Sequence, residues 1–505
     1  MKNNLLTEPL IRSDAGWHSL PTLLAAMARG EVAAFPALRP HQRPAWHMFL
    51  VQLATLALDA MVTRDLPEDE AVWASALRAL TPDHPDDAPW HLVVPDRSKP
   101  AFLQPPAPDG LNWSDVATPD ALDMVITSRN HDLKARIARQ AAPQDWVFAL
   151  VSLQTMEGYG GAGNHGIARM NGGSSSRPML TLVPLDDAAA PINPSRWWGR
   201  DVRRLLDRRS GLSGIALVWP EPWPEGRSLS LDRLDPLFIE VCRRVRLVAH
   251  GNALVALRST SKAARIAAKE ARGLISGEIE PWAPVMVEGS SAKTLTLGEQ
   301  DFTYAMLFKL LYGDWTRPYL AEPGPDETFQ PMAFVAEAFS RGNSKTDGFR
   351  SRVVPVPKRV LKQFFGPKAE ELGETMLEDV KAVTDTLRGA LALVAAQGEY
   401  EKRGKEDYAR AAPARDAFQR FVDQRFFPAL WEQLQAEGRV ARTEARRTFI
   451  NELCEAAETE FERALPAIPC ARLMRPRAEL RGRRTLRAGL HRAIGKVGEK
   501  ETQDA

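Results

Sequence analysis

The chain has 505 residues, of which 66 are basic and 64 acidic, giving a net charge of +2; 44% are hydrophobic and 26% charged. That balance suits a soluble globular protein with a core large enough for two or three domains, and it excludes a polycation, so any nucleic-acid contact must come from local patches. Cys242, Cys454 and Cys470 stand far apart, which excludes a zinc ribbon or a disulfide framework and points to buried or idle thiols in a reducing cytoplasm.

The N-terminus, MKNNLLTEPLIRSDAGW, has one lysine and no long apolar core, so it does not read as a signal peptide. No apolar run approaches the roughly 20 residues of a membrane span. The expectation is a cytoplasmic protein with no membrane partner. After His41, HQRPAWHMFLVQLATLALDAMV places Ala45, Phe49, Leu53, Leu56 and Met61 at near-helical spacing and predicts a buried helix. From Pro82 to Pro108 the chain is rich in Pro and Asp around AFLQPP, which predicts loop with short extended pieces. Residues 114 to 154 read as helical around the basic stretch SRNHDLKARIARQ.

Residues 157 to 178, EGYGGAGNHGIARMNGGSSSRP, include seven glycines. Glycine weakens helix and strand, so either close approach of backbone to a ligand or a flexible linker is implied. The GGSSS part reads as a flexible return to the next strand, PMLTLVPL. Another helix begins at Trp197 and Trp198, and GIALVWPEPWP is a strand entering a rigid loop. FIEVCRRVRLVAH and NALVALRST read as an antiparallel pair. Residues 333 to 356 predict a hairpin with the polar, basic tip RGNSKTDG.

From about Gly366 the pattern changes. Met376, Val380, Val383, Leu387, Leu391 and Val394 recur at helical spacing. A second helix runs through Phe418, Leu430 and Leu434, with Pro428 as a kink and Gly438 as its end. A third carries Phe449, Leu453, Ala457 and Phe461, and a fourth Leu486, Leu490, Ile494 and Val497. The predicted fold class is α+β: a large mixed α/β N-terminal domain, residues 1–365, followed by an antiparallel four-helix bundle, residues 366–505. Residues 471 to 500 hold ten Lys or Arg against two Glu, which suits a solvated helix face, a polyanion or an acidic partner surface.

Catalytic motifs are missing. The sequence has no GxSxG, HExxH or GxxxxGK[ST], and the glycine stretch lacks the Lys and Ser/Thr of a phosphate-binding loop. His131 and Asp132 suggest a metal-dependent nuclease or phosphohydrolase as an alternative, but no HxxH or HxxxH pair supports it. His165 has no evident partner and reads as an exposed loop imidazole. A bare glycine loop beside Arg169 and Arg177 fits the minor groove of a duplex, about 6 Å wide, with the arginines on phosphates.

Taken in order, NLLTEPLIR, HQRPAWHMFLVQLATLAL, PAFLQ, GYGGAG with a second GG before a strand, and the C-terminal bundle resemble the large, CasA-type subunit of the type I-E CRISPR surveillance complex, Cascade. The matching pieces span nearly the whole chain. The resemblance implies a non-enzymatic subunit, with no catalytic residue and no cofactor, that recognises the protospacer-adjacent motif of foreign double-stranded DNA from the minor groove. It implies strand opening by a hairpin wedge and recruitment of a helicase-nuclease. The implied partners are target DNA, the guide RNA's 5′ end, and the backbone, small and 5′-handle-binding subunits. Carried over, the glycine loop falls on Gly158, Tyr159, Gly160, Gly161, Ala162 and Gly163. Relatives tend to have glycine at the place of Ala162, which implies a slightly different loop path. The wedge falls on Gly342, Asn343 and Ser344, with Lys345 adjacent, where some relatives place glutamine. The lysine finger falls on Lys269, with Arg272 as the alternative. Arg129, Asn130, His131 and Lys134 correspond to a loop that meets guide RNA or neighbouring subunits. Certain relatives carry a cysteine cluster; this sequence has none, so no metal is expected.

Overall fold

The computed structural model describes residues 3–123, 141–170, 173, 175–187, 190–211, 213–251, 253–268, 280–289, 291–298, 300–342 and 345–503. The chain folds as two units, Met1–Phe302 with Asp314–Pro355, and Thr303–Gly313 with Val356–Ala505. Among the described residues no helix is long and apolar enough to cross a membrane.

In the first unit the main helices are α1 (Leu20–Ala28), α2 (Arg43–Ala60), α3 (Glu70–Ala79), α4 (Pro143–Met156) and α5 (Pro194–Leu206). The expected helix after His41 is α2, buried from Pro44 to Asp59, while Met61 lies beyond its end and is exposed. A helix apolar on every side belongs in the centre of a core, and the others pack around it. Trp46 meets Phe148 of α4 edge-on, with ring centroids 5.0 Å apart. Trp198 of α5 donates its Nε1–H to the Leu50 carbonyl at 3.2 Å. His47 bonds Asp201 at 2.8 Å and stacks on Trp197.

The strands used below are β1 (Ser114–Val116), β2 (Met179–Pro184), β3 (Ile215–Leu217), β4 (Leu234–Ile239), β5 (Arg244–His250), β6 (Ala253–Ser259), β7 (Met332–Gly342) and β8 (Lys345–Val356). One sheet has the order β1-β6-β5, another β8-β7-β2, and β3 pairs with β4. The β5/β6 pair is antiparallel, with Val248 opposite Val255, as its sequence suggests. Two readings change. Residues 114 to 154 are not continuously helical: they hold β1, a short turn of helix at Pro119–Leu122, and α4. FIEVCRRVRLVAH is not one strand, because β4 stops at Ile239 and β5 starts at Arg244.

The break has a physical cause. Residues 240–243 lie between the strands, and β4 and β5 are each paired on one side only, so buried glutamines serve the backbone groups left over. Gln154 of α4, fully buried, donates to the carbonyls of Leu103 (2.9 Å) and Arg243 (3.0 Å). Its Oε1 accepts from the N–H groups of Cys242 (2.9 Å) and Arg243 (2.8 Å). Gln52 of α2 donates to the carbonyls of Leu237 and Phe238, both at 3.0 Å. Gln104, in the AFLQ turn, donates to Leu92 O (2.9 Å) and accepts from Leu247 N–H (2.6 Å). Buried backbone groups must be paired, and a primary amide offers both donor and acceptor at the end of a long stem.

The hairpin is formed by β7 and β8, whose arms run further towards the tip than RGNSKTDG suggests. In the second unit the helices are α6 (Pro367–Ala395), α7 (Ala412–Gln435), α8 (Gly438–Ala464) and α9 (Arg475–Gln503). Val394 of α6 lies against Gly482 of α9, and Thr386 against Gly489, so these two helices run in opposite directions. Arg446 of α8 grips Asp379 of α6 with two 2.8 Å bonds, and Arg483 of α9 grips Glu462 of α8, also at 2.8 Å. The arrangement is the antiparallel four-helix bundle that the spacing predicts. Pro428 lies inside α7, and Gly438 opens α8 as much as it closes α7.

Replacing Gln154 with Leu keeps the volume but leaves its four backbone partners unpaired. At about 1–3 kcal/mol for each buried orphan group, Q154L should destabilise the chain by at least ~3 kcal/mol. Urea unfolding followed by tryptophan fluorescence checks this; a midpoint close to wild type would refute the role given to the amide.

Candidate functional site

The glycine stretch starts where α4 ends. Glu157 turns extended, with ψ 132°. The Gly158 carbonyl then accepts from Nη2 of Arg243 at 2.7 Å. Tyr159 N–H donates to Gly173 O at 2.6 Å, and Gly160 N–H to Asn164 O at 2.8 Å. Asn164 N–H returns to Gly161 O at 2.9 Å, which closes the turn. On the far side Ser261 N–H donates to Gly163 O at 3.0 Å, and His165 Nε2–H donates to Ser261 O at 3.2 Å. The loop is therefore seated at both roots, and it is not a linker. Tyr159, Gly160 and Ala162 are its exposed residues.

Two glycines are needed for different reasons. Gly163 has φ +71°, and a Cβ there would lie 2.5 Å from Cβ of Thr260. Gly161 has φ +112° but faces open space. Ala162, between them, keeps an ordinary φ outside the left-handed region. Ala162, where the resemblance implies glycine, thus stands where a methyl group introduces no strain.

Other expectations are corrected. Arg169 and Arg177 do not reach solvent. Arg177 makes a two-pronged bond to Glu280 at 2.9 and 2.8 Å, with both side chains buried. Arg169 is 1% exposed, lies over the Phe238 ring, donates to Phe238 O at 2.8 Å and sits 3.7 Å from Glu240. Neither can hold a phosphate, because the core already contains the carboxylates that bind them. His165 is half-buried and bonded, its ring 6.4 Å from that of Tyr159. The described end of GGSSS is held in place: Ser175 and Ser176 are buried, and Ser176 Oγ donates to Glu157 at 3.3 Å.

Burial pushes the Glu240 carboxyl up to about 7 and the Arg169 guanidinium down to about 10. Desolvation here outweighs the attraction between the two, although Ala168 N–H supports Glu240 at 2.6 Å.

Lys269, Arg272, Asn343, Ser344, Arg129, Asn130, His131, Asp132 and Lys134 lie outside the described residues. Lys345 begins β8 on the hairpin. Among the described residues no group of three His, Cys, Asp or Glu side chains is placed to hold a metal. Gln154, Arg243 and Thr260, which seat the loop, escape a sequence reading. Only Gln154 leaves a signal, as a lone amide in the apolar stretch FALVSLQTM.

Two predictions follow from this geometry. G163A combines a left-handed φ with a backbone-proximal clash and should cost about 1–3 kcal/mol. G161A carries conformational strain alone, about 1 kcal/mol. Equal losses in urea unfolding would refute the seating against Thr260. The second concerns pH. Glu240's pKa is raised on folding from 4.5 to about 7, so its protonated form favours the native state. That contribution is complete below pH 4.5 and is lost as pH rises through about 7. Thermal midpoints measured between pH 5 and 8 should fall less steeply in E240Q than in wild type; parallel curves would contradict the shift.

No family model matches the chain, and no curated protein matches it in sequence. Solved structures do match. Thermus thermophilus CasA (Cse1) superposes with a TM-score of 0.66 at 15% identity, covering 98% of this chain and 100% of that one. Cse1 from Acidimicrobium ferrooxidans gives 0.64 at 16% identity, covering 98% and 99%. A chain of a CRISPR RNA-guided surveillance complex, pre-nicking, gives 0.51 at 13% identity, covering 92% and 98%. The chain has the Cse1/CasA fold over nearly its whole length.

Proposed function

We propose that this chain is the large, non-catalytic subunit of a type I-E CRISPR surveillance complex and recognises the protospacer-adjacent motif of foreign duplex DNA. The Cse1/CasA fold carries this reading, together with one local observation: a glycine loop seated at both roots that exposes backbone at Gly160 and a small side chain at Ala162. Such an edge enters a minor groove, where few donors and acceptors are on offer and readout by peptide groups suffices. In this reading Lys269, or Arg272 in its place, completes motif recognition from the minor groove. The hairpin tip at Asn343, Ser344 and Lys345 starts strand separation. Guide RNA then reads the target by base pairing. Arg129, Asn130, His131 and Lys134 meet the guide RNA's 5′ end or neighbouring subunits, and the DNA-bound complex recruits a helicase-nuclease. The setting is cytoplasmic.

The test uses the assembled complex. Asp at Gly161, where a Cβ meets open space, places a negative charge on the edge that faces DNA in this reading, where like-charge repulsion is worth several kcal/mol. Preference for duplexes that carry the motif should fall roughly tenfold or more, by equilibrium binding to duplexes with and without it. An unchanged preference, in a complex that still assembles, would sink the loop's role.

A further inference from the structure

The two arginines nearest the glycine run in sequence are locked in the core, so phosphate contacts beside the loop need another source. A cleft of about 350 Å³ opens next to it. Gly160 and Asn164 form one wall; Asn112, Ser114, Arg243, Arg258, Ser259 and Thr260 form the rest. The sheet dictates what faces inward. Ser114 of β1 stands directly opposite Arg258 of β6, so their side chains leave the sheet on the same face. Asp115, the next residue along β1, points to the other face. Arg258 is exposed, and Arg243 is nearly buried, with its Nη2 on the Gly158 carbonyl. Among the described residues that line the cleft there is no carboxylate. Two guanidinium groups, two amides and the hydroxyls of Ser114 and Thr260 therefore line the cleft without an internal counter-ion.

We infer that this cleft binds one phosphodiester group of the duplex whose minor groove the loop enters, with Arg258 as the main charge and the hydroxyl of Thr260 as a further donor, while the Ser114 hydroxyl is held by the Arg258 carbonyl at 3.4 Å. The inference rests on the reading of the loop given above. Its chemistry is that of backbone positioning: guanidinium and hydroxyl groups fix a phosphate, which gives affinity and register but carries no sequence information. Its geometry follows from the groove, whose walls are phosphates, so a loop in the groove has a phosphate at its flank. Arg243 joins the two, since it lines the cleft and holds the carbonyl from which the loop departs.

The experiment compares R258A, R258K and wild type in the assembled complex, on duplexes with and without the motif, at several salt concentrations. R258A should weaken both duplexes by the same factor, roughly tenfold. The slope of log K against log salt should become shallower by about 1, as for the loss of one phosphate contact. R258K, which keeps the charge, should retain most of that slope. Unchanged affinity and slope in R258A would overturn the inference, as would a uniform loss with no change in slope. A changed preference for the motif would also overturn it, because it would make Arg258 a base reader. If Asp at Gly161, which does not line the cleft, still lowers preference while R258A does nothing, the phosphate site falls and the loop's role stands. If neither substitution has an effect, both fall.

Discussion

The architecture around the glycine loop depends on buried backbone at residues 240–243 and along the strand edges of β4 and β5 that no further strand covers. Between Leu237 and Leu247 the chain passes through the core from β4 to β5. Water cannot satisfy its peptide groups there, and an unpaired buried group is expensive. Side-chain amides of Gln52, Gln104 and Gln154 take the place of a neighbouring strand. Each reaches from a different element: α2, the AFLQ turn and α4. Together they fix where residues 242 and 243 lie, and hence where Arg243 can point. Position in this region is set by hydrogen bonds of defined length more than by apolar packing, which is less directional.

That constraint passes directly to the loop. Gln154 sits in the last turn of α4, just before the chain leaves for Gly158. Its two bonds to Arg243 place that guanidinium under the loop's first carbonyl. The other root rests on Ser261 and Thr260, beyond the end of β6. The glycines between have separate tasks. Gly163 allows close contact with Thr260, Gly161 turns the chain through a conformation closed to side chains, and Gly160 leaves bare backbone outward. A preformed edge of this kind loses little conformational entropy on binding, which a flexible glycine linker would lose in full.

Much of this was legible in the sequence. α2, β2, the hairpin and the four helices of the bundle announce themselves by period, because each buries one face or all faces in the core of its own unit. The turn residues of the glycine stretch were also plain. Exposure was not. Arg169 and Arg177 look like a basic flank to a loop, yet each is buried against a carboxylate far along the chain, Glu240 and Glu280. Nothing in the local sequence tells a phosphate-binding arginine from one that neutralises a core acid. Arg258 and Arg243 pose the converse case: they lie about 80 to 100 residues from the loop and reach it only through the register of β5 and β6. FLQ carries little as a motif, but its glutamine has a clear task once Leu247 N–H is seen to need an acceptor.

The central claim is that the glycine loop is a fixed edge in the free chain. Amide hydrogen exchange on the free chain tests this most directly. The account predicts that the N–H groups of Tyr159, Gly160, Asn164 and Ser261, all hydrogen-bonded, exchange at least roughly tenfold more slowly than that of exposed Ala162. Exchange of all these amides at the rate of an unstructured peptide would contradict it.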